Sequence, residues 1–488
     1  MTRRSLTVAA LLALAACDWD YYAMMNSVPI RGDPAANPVV HVMLAVDSLA
    51  YAAAVDAQSR GAFPGFTLAR HLTGFPGTSD ISWTRILHTA PIESYELQYY
   101  DPVENELVYS GYAGLLMHAV PFDTRPCYEA FDFSANGLTN ALYNYESPRY
   151  SLGTTLDNVF TLLEGRAQTR STEAFLAFIN ELDAIGHMEP YEDYLEALLV
   201  LDRRIEAFKA AHPERTWLFT LVSDHGHNFI SSPDEKMIRF HDELPRLAIE
   251  AVDSLEGRDA DGPLAAVPIV HARVTYVALH TLQEQAPEVA RRVSGARFTD
   301  LTIAKLPAPN GHTEPWYGVW RDGGLALRFG FDARADSYLV DVSGALEALD
   351  LDWIGSGKGI VSVGDQELFE RTRYSDFPDL LYRTRTALEP AGLEFPAQVL
   401  VSFRHPYASV GFEVPGGGNA IAIASFHGGM HRLDATGVVL TEARELPPAI
   451  RSDTFLELFP VFAARIAERG MLRAKVDANE SLDYSSMP

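Results

Sequence analysis

The chain has 488 residues, of which 47% are hydrophobic, 11% aromatic and 21% charged, a composition that excludes disordered, collagenous and membrane-bundle classes. Its 39 Lys+Arg against 65 Asp+Glu give a formal net charge of -26, which repels nucleic acid and anionic headgroups at long range, so no nucleic-acid-binding surface is expected. An anionic substrate therefore needs a local positive charge, and metal ions would supply one.

Residues 1–16 place Arg3-Arg4 before an apolar run from Leu6 to Ala16. This is the charged start and short greasy middle of a signal peptide, too short for a lasting transmembrane helix. The stretch Leu14-Ala15-Ala16-Cys17 resembles the bacterial lipoprotein box. That resemblance implies a lipidated Cys17, a tether over residues 17–37 and a lipid-anchored protein on the periplasmic side of the cell envelope. Asp18 then favours the inner membrane, in an organism-dependent way. A plain secretory signal cut near Ala16 is the alternative, and Thr2-Arg3-Arg4-Ser5-Leu6 half-matches a twin-arginine export signal. No other stretch approaches a ~20-residue apolar run, so the lipid is the only membrane contact expected. Cys127 is then the one remaining thiol, and the mature domain forms no internal disulfide.

The domain opens with the β-prone run Val39 to Val46, which ends in Asp47-Ser48 and reads as a buried parallel strand. From about Ser94 to Tyr150 the chain is rich in Tyr, Phe and Pro without steady periodicity, as expected of long loops and short strands. Tyr191 to Ala211 carries Leu195, Leu198, Leu199, Leu201 and Ile205 near helical spacing. Trp217 to Val222 repeats the first strand's form and ends in Ser223-Asp224-His225-Gly226. Strand, helix, strand implies an α/β fold with a doubly wound, mostly parallel sheet sandwiched by helices. Further on, possible strands (Ala272 to Leu279, Ala326 to Phe331, Val399 to Phe403) alternate with helices (Leu282 to Val293, Phe377 to Leu388). The expected layout is a core over residues 38–260, an inserted smaller α+β region over 261–395, and core completion with a C-terminal helix over 396–488. A third apolar run, Ala420 to Ala424, ends in Ser425-Phe426-His427-Gly428-Gly429.

In open α/β sheets functional residues gather at the carboxyl ends of the strands, where Asp47, Asp224 and His427 all fall. Singly, each has an ordinary role, such as capping the next helix. The set carries more weight. Asp183 and His187 stand four residues apart, so on one helical turn both can face one ion; the alternative is a solvated Asp beside a half-buried His. Phe75 to Thr84 looks like the opening of a helix, whose N-terminus favours a bound anion and a lowered hydroxyl pKa.

In this order of motifs the sequence resembles the alkaline phosphatase superfamily, within it the type I phosphodiesterase and nucleotide pyrophosphatase branch. The resemblance rests on a first-strand Asp47, Ser79 some thirty residues later, Asp183 with His187, Asp224 with His225, and a late His427 followed by Gly. It implies an alkaline-phosphatase-like core and two divalent metal ions, zinc first among them: Asp47, Asp224 and His225 would hold one, and Asp183, His187 and His427 the other. Ser79 would be the nucleophile, with Thr78 as the substitute and a helix N-cap as its other role. Ser82, a shorter group, stands where diesterase relatives commonly carry an Asn that holds a phosphate oxygen, which makes it a candidate substrate contact. His227 and His431 have no place in this ligand pattern and are expected around the site or at the surface, with a substrate contact by His431 as a further option. Cys127-Tyr128-Glu129 does not fit the sulfatase motif, the signal segment disfavours the cytosolic mutase branch, and the spanning helices of phosphoethanolamine transferases are missing.

The expected activity is hydrolysis of a small-molecule phosphate ester, most of all a phosphodiester or pyrophosphate, through a covalent phosphoserine. A phosphomonoesterase, a phosphonate-ester hydrolase and a non-catalytic metal-bound lipoprotein are the alternatives. Oligomeric state stays open.

Overall fold

A computed structural model describes residues 39–93, 95, 98–109, 126–134, 147–169, 173–230, 236–270, 274–309, 311–390, 392–409 and 425–473. The expected signal peptide, Cys17 and its tether, and the apolar run Ala420 to Ala424, lie outside these residues. Among the described residues no helix is long and apolar enough to cross a membrane.

Two sheets organise the chain. The first has seven strands in the order Ala449–Arg451, Thr67–Leu72, Thr436–Thr441, Thr216–Val222, Val39–Val46, Ala174–Ile179, Phe133–Ser134. Thr436–Thr441 runs antiparallel to both neighbours and every other pairing is parallel. Val39–Val46 lies between two parallel partners, and its unbroken apolar run follows from being covered on both faces. Val40, Val42, Leu44 and Val46 pack with the helices Tyr51–Ser59, Pro148–Thr169 and Tyr191–Ala211. Met43 and Ala45 pack on the opposite side with Trp83, Ile86, Phe455, Phe462 and Ile466. The two-residue period of the strand thus feeds two helical layers, which is the doubly wound α/β arrangement expected.

The second sheet has nine strands, mostly antiparallel, running from Ile360–Gly364 at one edge to Glu250–Ala251 at the other. Val399–Phe403 sits inside it, between Thr299–Leu306 and Tyr276–His280. One of its apolar clusters also takes in Phe75 and Ile81, so it packs against the segment that carries Ser79. An isolated bridge pairs Val274 with His427.

Element ends differ from expectation where proline or a left-handed residue intervenes. The helix expected from Leu282 starts at Ala286, with Pro287 in its first turn. The one expected from Phe377 starts at Leu380, after Pro378 and after Asp379 at φ 52°. The strand expected over Ala272 to Leu279 covers Tyr276–His280 among the described residues, with Ala272 outside them. Tyr191–Ala211, Val39–Val46 and Val399–Phe403 agree to the residue.

One buried carboxyl in the helical layer makes stability depend on pH. Glu181 is fully buried, accepts hydrogen bonds from the Thr155 and Ser151 hydroxyls, and leaves Oε2 without a partner. Burial pushes its pKa up from the ordinary 4.5 to about 7, against the opposing pull of the Thr155 hydrogen bond. The folded state therefore prefers the neutral acid. That preference stabilises fully below pH 4.5 and is lost as the pH rises through about 7. Glu181→Gln keeps the acceptor oxygen and removes the charge. Its stability advantage over the native chain should grow between pH 5 and 8 to about 3 kcal/mol, on the scale of 1.36 kcal/mol per pKa unit. Parallel denaturant titrations at the two pH values check this, and an advantage that does not grow with pH contradicts it.

Candidate active site

The parallel pairing of Val39–Val46 with Thr216–Val222 matches Ala45 with Val222, and continuing that register two residues brings Asp47 beside Asp224. The chain turns sharply there, with Ser48 at φ 62°. The Ser48 N–H donates to Asp224 Oδ1 at 2.9 Å. Tyr194, from the long helix, secures the turn: its hydroxyl donates to Ser48 O at 2.7 Å and accepts from Ala50 N at 3.2 Å. Asp183 and His187 lie on the helix Glu181–Met188 and face each other across one turn, as their spacing predicts.

Two groups of potential metal ligands result, Asp47 with Asp224 and His225, and Asp183 with His187 and His427; within each, the ligand atoms lie within 4.8 Å of one another. Each imidazole is held at Nδ1 by a backbone carbonyl: His225 by Gly226 O at 3.0 Å, His187 by Ser425 O at 2.8 Å, His427 by Gly77 O at 3.1 Å. With Nδ1 donating, the lone pair is on Nε2, the atom turned to the carboxylates. His225 Nε2 stands 3.4 Å from Asp47 Oδ1 and 3.3 Å from Asp224 Oδ2, and His187 and His427 each place Nε2 3.4 Å from Asp183 Oδ1. Two ligands at 2.0–2.1 Å from a tetrahedral ion stand about 3.3–3.4 Å apart. Asp183 Oδ1 and Asp224 Oδ2 are buried and accept no hydrogen bond, although a buried carboxylate oxygen is costly to leave unpaired. The donor set, its spacing and these two oxygens fit a divalent cation in each group.

The electrostatics agree. Burial, with the Asp183 charge adding to it, drives the Asp224 pKa upward, opposed by the Ser48 N–H. Burial also opposes ionisation of Asp183, but His187, His427 and His225 outweigh it and leave its pKa lowered. Three carboxylates crowd into one buried space, and two divalent ions would convert that excess into one net positive charge. The groups also touch, since the His225 and His427 rings stack with centroids 3.9 Å apart at 12°.

Ser79 is the first residue of the helix Ser79–Ile86, and Thr78 is its N-cap. The Ser79 hydroxyl is half-buried, 3.2 Å from both Asp47 carboxylate oxygens and 3.4 Å from His225 Nε2. Thr78 is fully buried and its hydroxyl has no partner, so Ser79 alone of the pair meets the ligand groups. Ser82 is 1% exposed, with its hydroxyl 3.1 Å from that of Thr73.

His227 is buried, with Nδ1 2.5 Å from Ser48 Oγ, and its ring packs edge-on against His187. It supports the site from behind, the first of its two expected places. His431 caps the short helix Arg432–Ala435, accepting from Leu433 N, and its ring meets His405.

Sequence reasoning missed Ser48 and Asp434. Asp434 is fully buried and accepts from the Thr275 hydroxyl at 2.6 Å, Asn228 Nδ2 at 2.8 Å and Gly429 N at 3.2 Å, with His405 Nε2 3.1 Å away. The same Thr275 hydroxyl stands 2.9 Å from His427 O, so Asp434 fixes the loop that presents His427. An Asp in Arg432-Leu433-Asp434 carries no spacing signal.

The model of the type I phosphodiesterase / nucleotide pyrophosphatase family matches residues 66–342. The chain belongs to this family. It is accordingly a phosphoric ester hydrolase of the alkaline phosphatase superfamily, whose members are metal-dependent. The matched range holds Ser79, Asp183, His187, Asp224 and His225 of this family member, while Asp47 and His427 flank it and join them only in the fold. Solved structures similar to it include human ectonucleotide pyrophosphatase / phosphodiesterase 5, at 8% identity over 87% of this chain and 95% of that one with a TM-score of 0.44. Another is phosphonoacetate hydrolase from Sinorhizobium meliloti 1021 in complex with phosphonoacetate, at 11% identity over 89% and 96% with a TM-score of 0.46. No curated protein matches the sequence.

Proposed function

We propose that this family member hydrolyses phosphodiester or pyrophosphate bonds through a covalent phosphoserine on Ser79, at a site that takes two divalent cations, zinc first among them. The observation that carries the reading is the Ser79 hydroxyl, at a helix start and 3.2–3.4 Å from Asp47 and His225. Asp47, Asp224 and His225 would hold one ion, and Asp183, His187 and His427 the other. When bound, such ions lower the pKa of an attacking hydroxyl and stabilise the oxygens that gain charge in an in-line displacement.

The chain's own residues do the rest. Ser79 Oγ gives its proton to solvent water and forms a bond to phosphorus as the bond from phosphorus to the leaving oxygen breaks; that oxygen takes a proton from water and departs as an alcohol, or departs as a phosphate. The backbone N–H groups that open the Ser79–Ile86 helix favour the negative oxygens of the phosphoryl group. Water then attacks the phosphorus held on Ser79 from the vacated side; the Oγ–phosphorus bond breaks, Oγ takes up a proton from that water, and the phosphoryl group leaves with its remaining substituent as a phosphate monoester. Gly226 O, Ser425 O and Gly77 O keep the three imidazoles in the tautomer that leaves Nε2 free.

Turnover of an aryl phosphodiester, the matching monoester and a phosphonate monoester by zinc-loaded protein tests the substrate class. Preference for the diester by about tenfold or more in kcat/KM, equivalent to ~1.4 kcal/mol of transition-state discrimination, is the expected result. Preference for the monoester or the phosphonate overturns the diester reading and retains the metal site, and absence of turnover with ions bound favours the non-catalytic lipoprotein. The Leu14 to Cys17 box supports placing the enzyme on the periplasmic side of the envelope, held by lipid.

A further inference from the structure

Gly77, two residues before Ser79, and the ligand His427 lie 350 residues apart in the chain, and hydrogen bonds join their two segments directly. The Gly77 N–H donates to Gly428 O at 3.0 Å, and His427 Nδ1 donates back to Gly77 O at 3.1 Å. Behind this pair lies Arg383, from the helix Leu380–Leu388, a side chain only 1% exposed. Its guanidinium makes no ion pair among the described residues. All its hydrogen bonds there go to main-chain carbonyls: Nε to Thr73 O at 2.8 Å, Nη1 to Met430 O at 2.8 Å and Pro378 O at 3.3 Å, and Nη2 to Gly429 O at 3.2 Å. Thr73 precedes Ser79 by six residues and Gly429 follows His427 by two.

A buried cation bonded only to carbonyls is an expensive arrangement. Its geometric product is specific, because a planar fork fixes two loops at once where a single ammonium cannot. We propose that Arg383 is a positioning residue for the reaction: it clasps the loop leading to Ser79 against the loop carrying His427, and so sets the nucleophile's place relative to that ligand group. The proposal rests on the functional reading above for its catalytic consequence, while the clasp itself has an independent readout.

The test compares Arg383→Lys and Arg383→Met with the full native chain by steady-state kinetics and amide hydrogen exchange. Both variants should lose kcat by about 100-fold, the scale of an ångström-level misplacement, with KM changed less than about threefold. Exchange should accelerate in peptides covering residues 73–79 and 427–431 and stay unchanged in residues 39–46. Lysine restoring native kcat would mean that charge alone matters and overturns the proposal; so does faster exchange with kcat unaltered. Ser402→Ala is a milder second variant, since Ser402 Oγ accepts from Met430 N at 2.9 Å on the same turn. It should lower kcat by about three- to tenfold at constant KM, and if the Arg383 variants do not fold, an unaltered kcat in Ser402→Ala overturns the proposal. A native chain that turns over no phosphate ester defeats the functional reading, and the exchange result then decides the clasp alone.

Discussion

Replacing Ser79 by Ala should lower turnover by about a thousandfold or more while leaving the bound metal content unchanged. The magnitude follows from removing a nucleophile whose attack has no substitute of equal reach. Asp47 and His225, 3.2–3.4 Å from its hydroxyl, are themselves potential ligands and supply no second attacking oxygen. Thr78, one residue earlier, points its hydroxyl into the interior without a partner. Thr78→Val should therefore stay within about threefold of native turnover, a change under ~0.7 kcal/mol in the barrier. Acid-quenched labelling during turnover of a phosphate ester should trap phosphate on the native chain and none on Ser79→Ala. Retained turnover in Ser79→Ala, or equal loss in Thr78→Val, would remove Ser79 from its role.

The second large effect concerns the two ligand groups, which differ in charge and exposure. Asp47, Asp224 and His225 bring two carboxylates and are all buried. Asp183, His187 and His427 bring one, with the Asp183 side chain 18% exposed. Attraction for a divalent cation grows with the negative charge around it and with the loss of competing water. Titration with a chelator should therefore empty the Asp183 group first. Native protein should carry two ions per chain; Asp224→Ala and His427→Ala should each carry one and lose about a thousandfold in kcat, because each ion contributes several kcal/mol to the transition state. Metal analysis of the three proteins checks the stoichiometry. Two ions retained in both variants would break the assignment of ligands to groups.

Much of this site is visible in the sequence because its parts obey local rules. Asp47 and Asp224 end buried apolar strands, and the register of adjacent parallel strands brings them together. Asp183 and His187 sit four apart on a helix, a spacing that needs no tertiary information. Motif position alone does not say which face of an eight-residue helix meets solvent, and the Ser82 hydroxyl lies 3.1 Å from that of Thr73. Ser48 works through its backbone N–H in a left-handed turn, Asp434 through partners as far apart in the chain as Asn228, Thr275 and Gly429, and neither leaves a pattern of residue types. The nine-stranded sheet was also hard to read. Strands such as Trp316–Arg321 are buried along nearly their whole length, so the alternation that marks a half-exposed strand is missing.

The antiparallel strand Thr436–Thr441 has a consequence for how the molecule is made. It is the wedge between Thr67–Leu72 and Thr216–Val222, so the central sheet stays split until nearly the whole chain has emerged. Pairings across such sequence distances form late and slowly, and the exposed edges of Thr67–Leu72 and Thr216–Val222 are open to wrong partners in the interval. Fragments ending before residue 436 should thus yield neither partial activity nor a stable core, and competence arrives in a single late step of folding.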